Sequence, residues 1–390
     1  MRTVSLQQIC DIQIGRTPSR SVPEYWGGEL PWVTISDLAK DRIVKTTKER
    51  ITRIGAAKSR SKWIPRGTLL LSFKLSLGKR AIAGCDLFTN EAIAALRVLD
   101  HDIADRDYLY WALGSIDYDR LVDRAAKGRT LNKAKLKLLQ IPLPPLTEQK
   151  RIAGILDAAD ALRAKRREAL DQLDTLLQST FLDMFGDPVT NPMGWEVRAL
   201  KETKSTVQIG PFGSLLHKED YIVGGVPLVN PMHIVSGQIR VSVEQTVSPQ
   251  KAEALGNYRL QAGDVVMGRR GEMGRCAIVS DTEAGMLCGT GSLFVRTHPE
   301  RLSSLFLATT FSSESMKCLL EGLSRGVTMS NLNRTMIEGL KVGLPPLDLQ
   351  HRYAVIAKSA EQQKACQRAH LAELDTLFAS LQSRAFRGDL

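Results

Sequence analysis

Cysteine is scarce and scattered in this chain: Cys10, Cys85, Cys276, Cys288, Cys318 and Cys366 are the only six in 390 residues, with no C-x-x-C pair and no histidine at ligand spacing. That pattern excludes a disulfide frame and a zinc site and leaves ordinary reduced thiols. Long apolar runs are missing as well. No window approaches the roughly 18 uninterrupted apolar residues of a membrane span, and the opening "MRTVSLQQIC" has no apolar signal core, so the expected location is cytoplasmic, with no membrane partner. Nor is there a strand–G-x-G–helix cofactor loop. "SLGKR" at Ser76 carries the Gly-Lys of a phosphate loop without the glycine five residues earlier, which argues against ATP. No cofactor and no metal are expected.

Acidic residues are also in deficit, and the formal net charge is +11. Residues 1–130 hold +7 of it, and Lys40 to Arg80 contains 13 Lys/Arg against only Asp41 and Glu49, interleaved with Trp63 and Phe73. A field of that density neutralises phosphates and speeds encounter with nucleic acid. A solvated basic face is the bland alternative.

What the chain has in abundance is itself. "IPLPPLTEQKRIAGILD" from Ile141 returns as "VGLPPLDLQHRYAVIAK" from Val342, at a constant offset of 201; from Leu131/Leu332 onward, 11 of 27 positions are identical. The match continues as "LDQLDTLLQS" and "LAELDTLFAS", and upstream "IQIGRTPS" echoes "VQIGPFGS". A period of about 200 residues is far beyond the roughly 20 to 50 of a solenoid. This is a duplicated domain, and 43% hydrophobic residues suffice for two packed cores.

Within each copy, short apolar runs ("LPWVTI", "GTLLLSF", "AIAALRVL"; "VPLVN", "GDVVMG", "GSLFVR") punctuated by Gly, Pro and Asn predict strands of a mixed sheet. "DYLYWALGSIDYDRLVDRA" and "SLFLATTFSSESMKCLLEGL" predict helices, so each domain is α+β. After each "LPPL" a long helix begins, with Thr147 or Asp348 as N-cap. The first runs to about Phe185, with an apolar seam of Ile152, Ile155, Ala159, Leu162, Ala169, Leu173, Leu176 and Thr180, broken at Arg166; the second shows Tyr353, Ile356, Ala360, Leu371, Leu374, Leu377 and Leu381. One stripe on so long a rod demands a partner, and the nearest is the other copy. Packed about a pseudo-twofold axis, the two helices lie antiparallel.

The order of variable domain, "LNK…IPLPPLTEQKRIAGILD…LDTLLQSTFLDMFGDP", variable domain, "LNR…GLPPLDLQHRYAVIAK…AFRGDL" resembles the specificity (S) subunit of a Type I restriction-modification system, over the entire chain. The second copy departs from the pattern at Gly343 and Leu349, where the first has Pro142 and Glu148. The resemblance implies two α+β target-recognition domains, residues 1–146 and 188–347, each reading half of a bipartite asymmetric site in double-stranded DNA. Two long antiparallel coiled-coil helices, 147–187 and 348–390, hold them apart and dock two methyltransferase (modification) subunits, onto which restriction subunits assemble. Catalysis then belongs to the partner. Consistent with that, "NPMG" at Asn191 and "NPMH" at Asn230 lack the aromatic fourth residue that stacks on a flipped adenine in amino-methyltransferases. A self-contained modification enzyme would need that motif, and a non-catalytic coiled-coil scaffold would not need the basic run.

Candidate DNA-binding residues follow from basic side chains beside glycine, where the backbone can approach phosphate and arginine can reach guanine. In the first domain they are Arg20, Lys62, Lys74, Lys79, Arg80, Lys127 and Arg129; in the second, Arg269, Arg270 and Arg275, with Ser214, His217, Lys218, Asn230, His233 and Arg325 in second rank.

Overall fold

The structure, a computed structural model, describes residues 2–39, 42–121, 131–324 and 331–390. The chain divides into two compact units, one of residues 1–168 with 368–390 and one of residues 169–367.

In the first unit Cys10–Ile14, Ile93–Val98, Leu69–Ser72 and Arg80–Ala83 lie side by side in that order as antiparallel neighbours. Ile43–Val44 joins the far edge in parallel. The run "LLLS" is buried at all of its positions because both faces of the sheet are covered. Leu69 and Leu71 face a core built with Tyr108, Trp111 and Leu156, while Leu70 faces Val33, Ile64 and Leu87. A strand buried on both faces loses its alternation. A second sheet pairs Trp26–Val33 antiparallel with Glu49–Ile51 and parallel with Phe88–Thr89.

The second unit repeats this plan in different residues. Thr206–Ile209, Ser292–Arg296, Val265–Gly268 and Cys276–Ile278 follow in the same order and sense. Val226–Val229 again sits between a parallel partner, Leu287–Cys288, and an antiparallel one, Thr246–Val247. In both units the first strand pairs with the strand leading into the long helix: Thr3–Ser5 with Gln140–Pro142, and Glu196–Ala199 with Lys341–Leu344.

The two predicted helices before each linker are shorter than their patterns suggest. The first spans Arg106–Gly114 and gives way to a 3-10 turn capped by Asp117. The second divides at Ser313 into Ser304–Ser312 and Glu314–Ser324. The long helices, Leu146–Phe185 and Leu347–Arg387, start earlier than expected. Thr147 and Asp348 therefore lie inside the first turn, and the Pro145 carbonyl accepts from the amides of Glu148 and Gln149, as Pro346 does from Leu349 and Gln350. Gly186, at φ +76°, ends the first helix, its amide donating to the Leu182 carbonyl.

A buried glutamine fixes each helix to its own unit. The Gln149 amide donates to the carbonyls of Ile103 (2.9 Å) and Pro144 (2.8 Å), and its Oε1 accepts from the Asp105 amide (2.9 Å). Gln350 donates to Pro345 (2.8 Å) and accepts from Ser303 (2.8 Å). Both side chains are fully enclosed, which gives a physical reason for this glutamine in both copies. Gln149→Leu is expected to cost roughly 2–4 kcal/mol, because three backbone groups, one buried and two partly buried, lose their partner. Urea denaturation reads this directly, and an unchanged midpoint would mean that water replaces the amide.

The seam of the long helices keeps Ile152, Ala159, Leu173, Tyr353, Ala360, Leu371 and Leu374 of the predicted one and departs from it elsewhere. Ile155 is only half-buried, and Leu162, Leu176, Ile356 and Leu377 are exposed. The less exposed line instead runs through Ile152, Leu156, Ala159, Arg163, Arg166, Leu170, Leu173 and Leu177, and through Tyr353, Ala357, Ala360, Lys364, Gln367, Leu371, Leu374 and Phe378. Its steps alternate between four and three residues, the heptad spacing. Charged residues at its mid-helix positions interrupt the apolar periodicity of the sequence.

Those charges form the same cluster twice. In the first unit Arg163 binds Asp160 (2.8 Å) and Asp375 (2.6 Å) and lies over the Phe378 ring (4.3 Å). In the second, Lys364 binds Glu361 (2.8 Å) and Asp174 (2.5 Å). Each residue of one triad is the 201-residue counterpart of a residue in the other. Burial opposes the Lys364 charge, yet the Asp174 and Glu361 carboxylates outweigh it and raise the pKa. Within each unit the helix segments run antiparallel. Arg151 reaches the Leu390 carbonyl in one (2.7 Å), and Phe181 and Phe185 pack on Tyr353 in the other.

Candidate nucleic-acid interface

A cleft of about 690 Å³ opens in the first unit between the Cys10–Ile14 strand, Gly15–Arg16, Arg60, Lys62, Phe73–Lys74 and Leu131–Lys133. Its walls are fixed by local chemistry. Gly15 sits so close to the Asn90 carbonyl that a Cβ would lie 2.2 Å from it, and the Arg16 amide donates to the Thr89 carbonyl (2.8 Å). The Gln13 side chain donates to the Lys62 carbonyl (3.1 Å), and the Leu131 amide to the Phe73 carbonyl (2.9 Å). Asn132 caps the short helix Lys133–Lys137.

Arg16, Arg60, Lys62, Lys74 and Lys133 thereby converge on one concavity. Asp11 is the one acidic residue among the described residues of its lining, and it pairs with Arg97 (2.8 Å). Five cations around an open cleft focus a positive potential that favours a polyanion. Lys62 and Lys74 were expected from sequence; Arg16, Arg60 and Lys133 were not. Two had a signal, since Arg16 follows the echoed "IQIG" and Lys133 follows the doubled Leu-Asn pair.

The loop carrying Lys74 and Lys79 has a counterpart in the second unit. Residues 73–79 join Leu69–Ser72 to Arg80–Ala83, and residues 269–275 join Val265–Gly268 to Cys276–Ile278. Both loops have the same length, so Lys74 corresponds to Arg270 and Lys79 to Arg275. Their backbones agree as well: Gly78 and Gly274 have φ +78° and +74°, and Leu75 stands at +64° where Gly271 has +77°. For an L residue with a Cβ that conformation costs about 1–2 kcal/mol. Arg270 is exposed, and Arg275 is held by an ion pair with Glu272.

The remaining candidates are dispersed. Arg20 stacks on Trp26 (3.9 Å) and forms a two-pronged ion pair with Glu49, whose carboxyl that contact holds below its usual range. Arg80 is packed on Tyr110 (4.6 Å) and Trp111 (5.6 Å) beside Arg42; burial lowers its pKa, and its Nε has no hydrogen-bond partner. Arg269 is buried, its Nε bonded to Asn331 (2.7 Å), with burial and then Arg270 lowering its pKa. His233 is buried, with Nδ1 2.9 Å from the Leu228 carbonyl, and the Asn230 side chain donates to Gln245 (3.1 Å). Arg80, Arg269 and His233 thus face the interior, where aromatic and polar partners hold them. His217 and Lys218 are exposed beside the Lys218–Asp220 turn, and Ser214 lies in the turn Gly213–Leu215. Lys127, Arg129 and Arg325 lie outside the described residues.

Among the described residues, no group of three or more His, Cys, Asp and Glu is placed to hold a metal ion, and no helix is long and apolar enough to cross a membrane. Trp63, from the basic run, is half-exposed and stacks on Phe88 at 4.3 Å, whereas Phe73 is buried.

Two units of one plan, each with a cationic loop at the same place, invite comparison with known proteins. The family described as Type I restriction modification DNA specificity domain matches residues 1–172 and 192–375. The chain belongs to that family. Among curated members, it is 27% identical over 253 residues to the Type I restriction enzyme MjaIX specificity subunit of Methanocaldococcus jannaschii, covering 60% of this chain and 57% of that protein. It is 29% identical over 177 residues to the EcoR124I/EcoR124II specificity subunit of Escherichia coli, covering 43% of each. The matches thus span about half the length of these specificity subunits. A longer match, 24% identical, joins 89% of this chain to 83% of the MjaVIII specificity subunit of M. jannaschii. The S subunit from M. genitalium shares the fold at TM-score 0.59 and 15% identity, over 99% of this chain and 96% of that one. Residues 173–191, the gap between the two family matches, include the end of the central helix and its glycine stop.

Proposed function

We propose that this chain is the non-catalytic DNA-recognition subunit of a cytoplasmic Type I restriction-modification complex. The observation that carries the reading is the cationic loop repeated at one position of a duplicated sheet, beside a cleft with five converging cations in the first copy. Residues 1–146 and 188–347 each read one half-site of double-stranded DNA. The solvent-facing members of the candidate set, Lys62, Lys74, Lys79, Arg270, His217 and Lys218, meet DNA together with Arg16, Arg60 and Lys133. Arg80, Arg269 and His233 shape the loops behind them.

The long helices, 40 and 41 residues, form an antiparallel coiled coil about a pseudo-twofold axis, with the duplicated charge triads setting its register. Such a rod spaces two reading modules, as twofold-related readers are spaced along a duplex. Because the modules differ in sequence, the site is bipartite and asymmetric. Two methyltransferase subunits dock on the helices and supply the chemistry, and restriction subunits join the full complex. In support, the relatives are named specificity subunits of restriction enzymes, and a chain solved in work on complex assembly and conformational transition of the type I R-M system shares the fold at TM-score 0.58 and 20% identity.

Reversing two cleft charges, Lys62→Glu with Lys74→Glu, tests the reading. Each lost phosphate contact should reduce the slope of log affinity against log salt by about 1, so the pair flattens it by about 2 while leaving the preferred sequence in place. An unchanged slope would reduce the cleft to a solvated basic face.

A further inference from the structure

Leu75 combines exposure with a backbone conformation that disfavours its side chain. It is 68% exposed at the turn of a loop between Lys74 and Lys79, and it belongs to none of the described cores. Its backbone has φ +64°, the left-handed region that disfavours a side chain, and the matched position of the second unit holds Gly271. The loop shape therefore needs no leucine and is more easily made without one. Among the described residues the other non-glycine positions with positive φ are Arg60, Asn191, Lys204 and Ser236. All four are polar, so only at Leu75 is an apolar side chain held in this conformation.

Nor can the loop relax easily. The buried Ser72 hydroxyl donates to the Ser76 carbonyl and accepts from the Lys79 amide (3.0 Å), while the Ser72 amide donates to the Lys79 carbonyl (2.8 Å). Gly78 donates to the Ser72 carbonyl (3.0 Å) and packs against the Tyr118 ring. Strain that persists in a fixed, solvent-facing loop marks a residue kept for what it touches.

We propose that Leu75 reads a base: its side chain packs on the C5-methyl group of a thymine in the major groove of the half-site read by the first unit. This rests on the DNA-recognition reading above. The chemistry selects the target. Lys74 and Lys79 bring the loop to phosphates, and of the base edges in the major groove only thymine offers an apolar group. In the second unit Gly271 presents no side chain, so the equivalent contact is absent there and Arg270 is left to reach the groove.

The test uses the full chain assembled with its methyltransferase subunits. The site is first mapped by methylation, then each thymine is replaced singly by deoxyuracil, which removes only the methyl group. One replacement in the first half-site should weaken binding about fourfold, the worth of one buried methyl. Leu75→Gly should bind the parental site about tenfold more weakly, the worth of much of a leucine contact. It should be indifferent to that same deoxyuracil, read the second half-site unchanged, and melt no lower than the parent. A first half-site without an A·T pair, no deoxyuracil effect within it, or equal deoxyuracil sensitivity in parent and Leu75→Gly each overturns the assignment. These outcomes are separable from failure of the underlying reading, which would show as a complex without sequence preference or with a salt slope untouched by the Lys62 and Lys74 reversals.

Discussion

Residues 1–190 alone are expected to form a twofold dimer that, with methyltransferase partners, recognises an interrupted palindrome of the first half-site. The reason lies in what completes the first core. Phe378 and Ala385 are buried in it, with Leu381, Phe386 and Leu390 packed alongside, and Trp111 meets the Phe378 ring at 5.3 Å. A fragment ending at residue 190 lacks all five and would leave a large apolar face in water. It also carries a substitute. Counted back by 201, Phe378, Leu381, Ala385 and Phe386 correspond to Leu177, Thr180, Met184 and Phe185, so a second copy can fill the place of the missing segment. Even the ion pair is supplied, since Asp174 stands where Asp375 meets Arg163. Such a dimer is closed and isologous. Sedimentation should give twice the fragment mass and methylation mapping a palindrome. A monomer, or a complex that still reads the parental asymmetric site, would mean that the two helices are not interchangeable.

The duplication was legible because the linker sentence repeats residues whose roles are the same in both copies. Gln149 and Gln350 bind backbone carbonyls beside a Pro-Pro pair, and no other side chain of that size makes those bonds. The sheets repeat just as closely in topology but hardly in residues, since many apolar sets can fill a sheet core. Sequence comparison finds only weak echoes there, "GGELPWV" from Gly27 with "GGVPLV" from Gly224, and "IQIG" with "VQIG" at Gly15 and Gly210, where a neighbouring carbonyl leaves no room for a Cβ. The seam was misread at Leu162, Leu176, Ile356 and Leu377 for a different reason. Arg163 and Lys364 occupy interior heptad positions and are kept there by carboxylates, a satisfaction that hydropathy does not register. Lys62 and Lys74 lie in the cleft, yet Arg80 and Arg269 turn inward, because spacing along the chain does not say which way a loop residue points. Arg60 reaches the cleft through a backbone at φ +52°, which nothing in the basic run foretells.

Lengthening both helices should lengthen the spacer between half-sites without changing the half-sites. The two compact units meet in sequence at residues 168/169 and 367/368, midway along the helices and next to the charge triads. Four residues inserted after Arg167 and four after Arg368 add about one turn to each helix at matched positions. Each helix then grows by roughly 6 Å at about 1.5 Å per residue, close to two base pairs at about 3.4 Å each. Neither triad is cut by the insertion: Asp160, Arg163 and Asp375 stay on one side, and Asp174, Glu361 and Lys364 on the other. Each unit therefore keeps its own register pin and core while the connection between the units is extended. Inserting in one helix alone is the control, because it sets the two triads out of register and should destabilise the pair rather than yield a new spacer. Methylation mapping reads both variants. A spacer that stays constant after the matched insertion would show that the helices join the reading modules without measuring the distance between them.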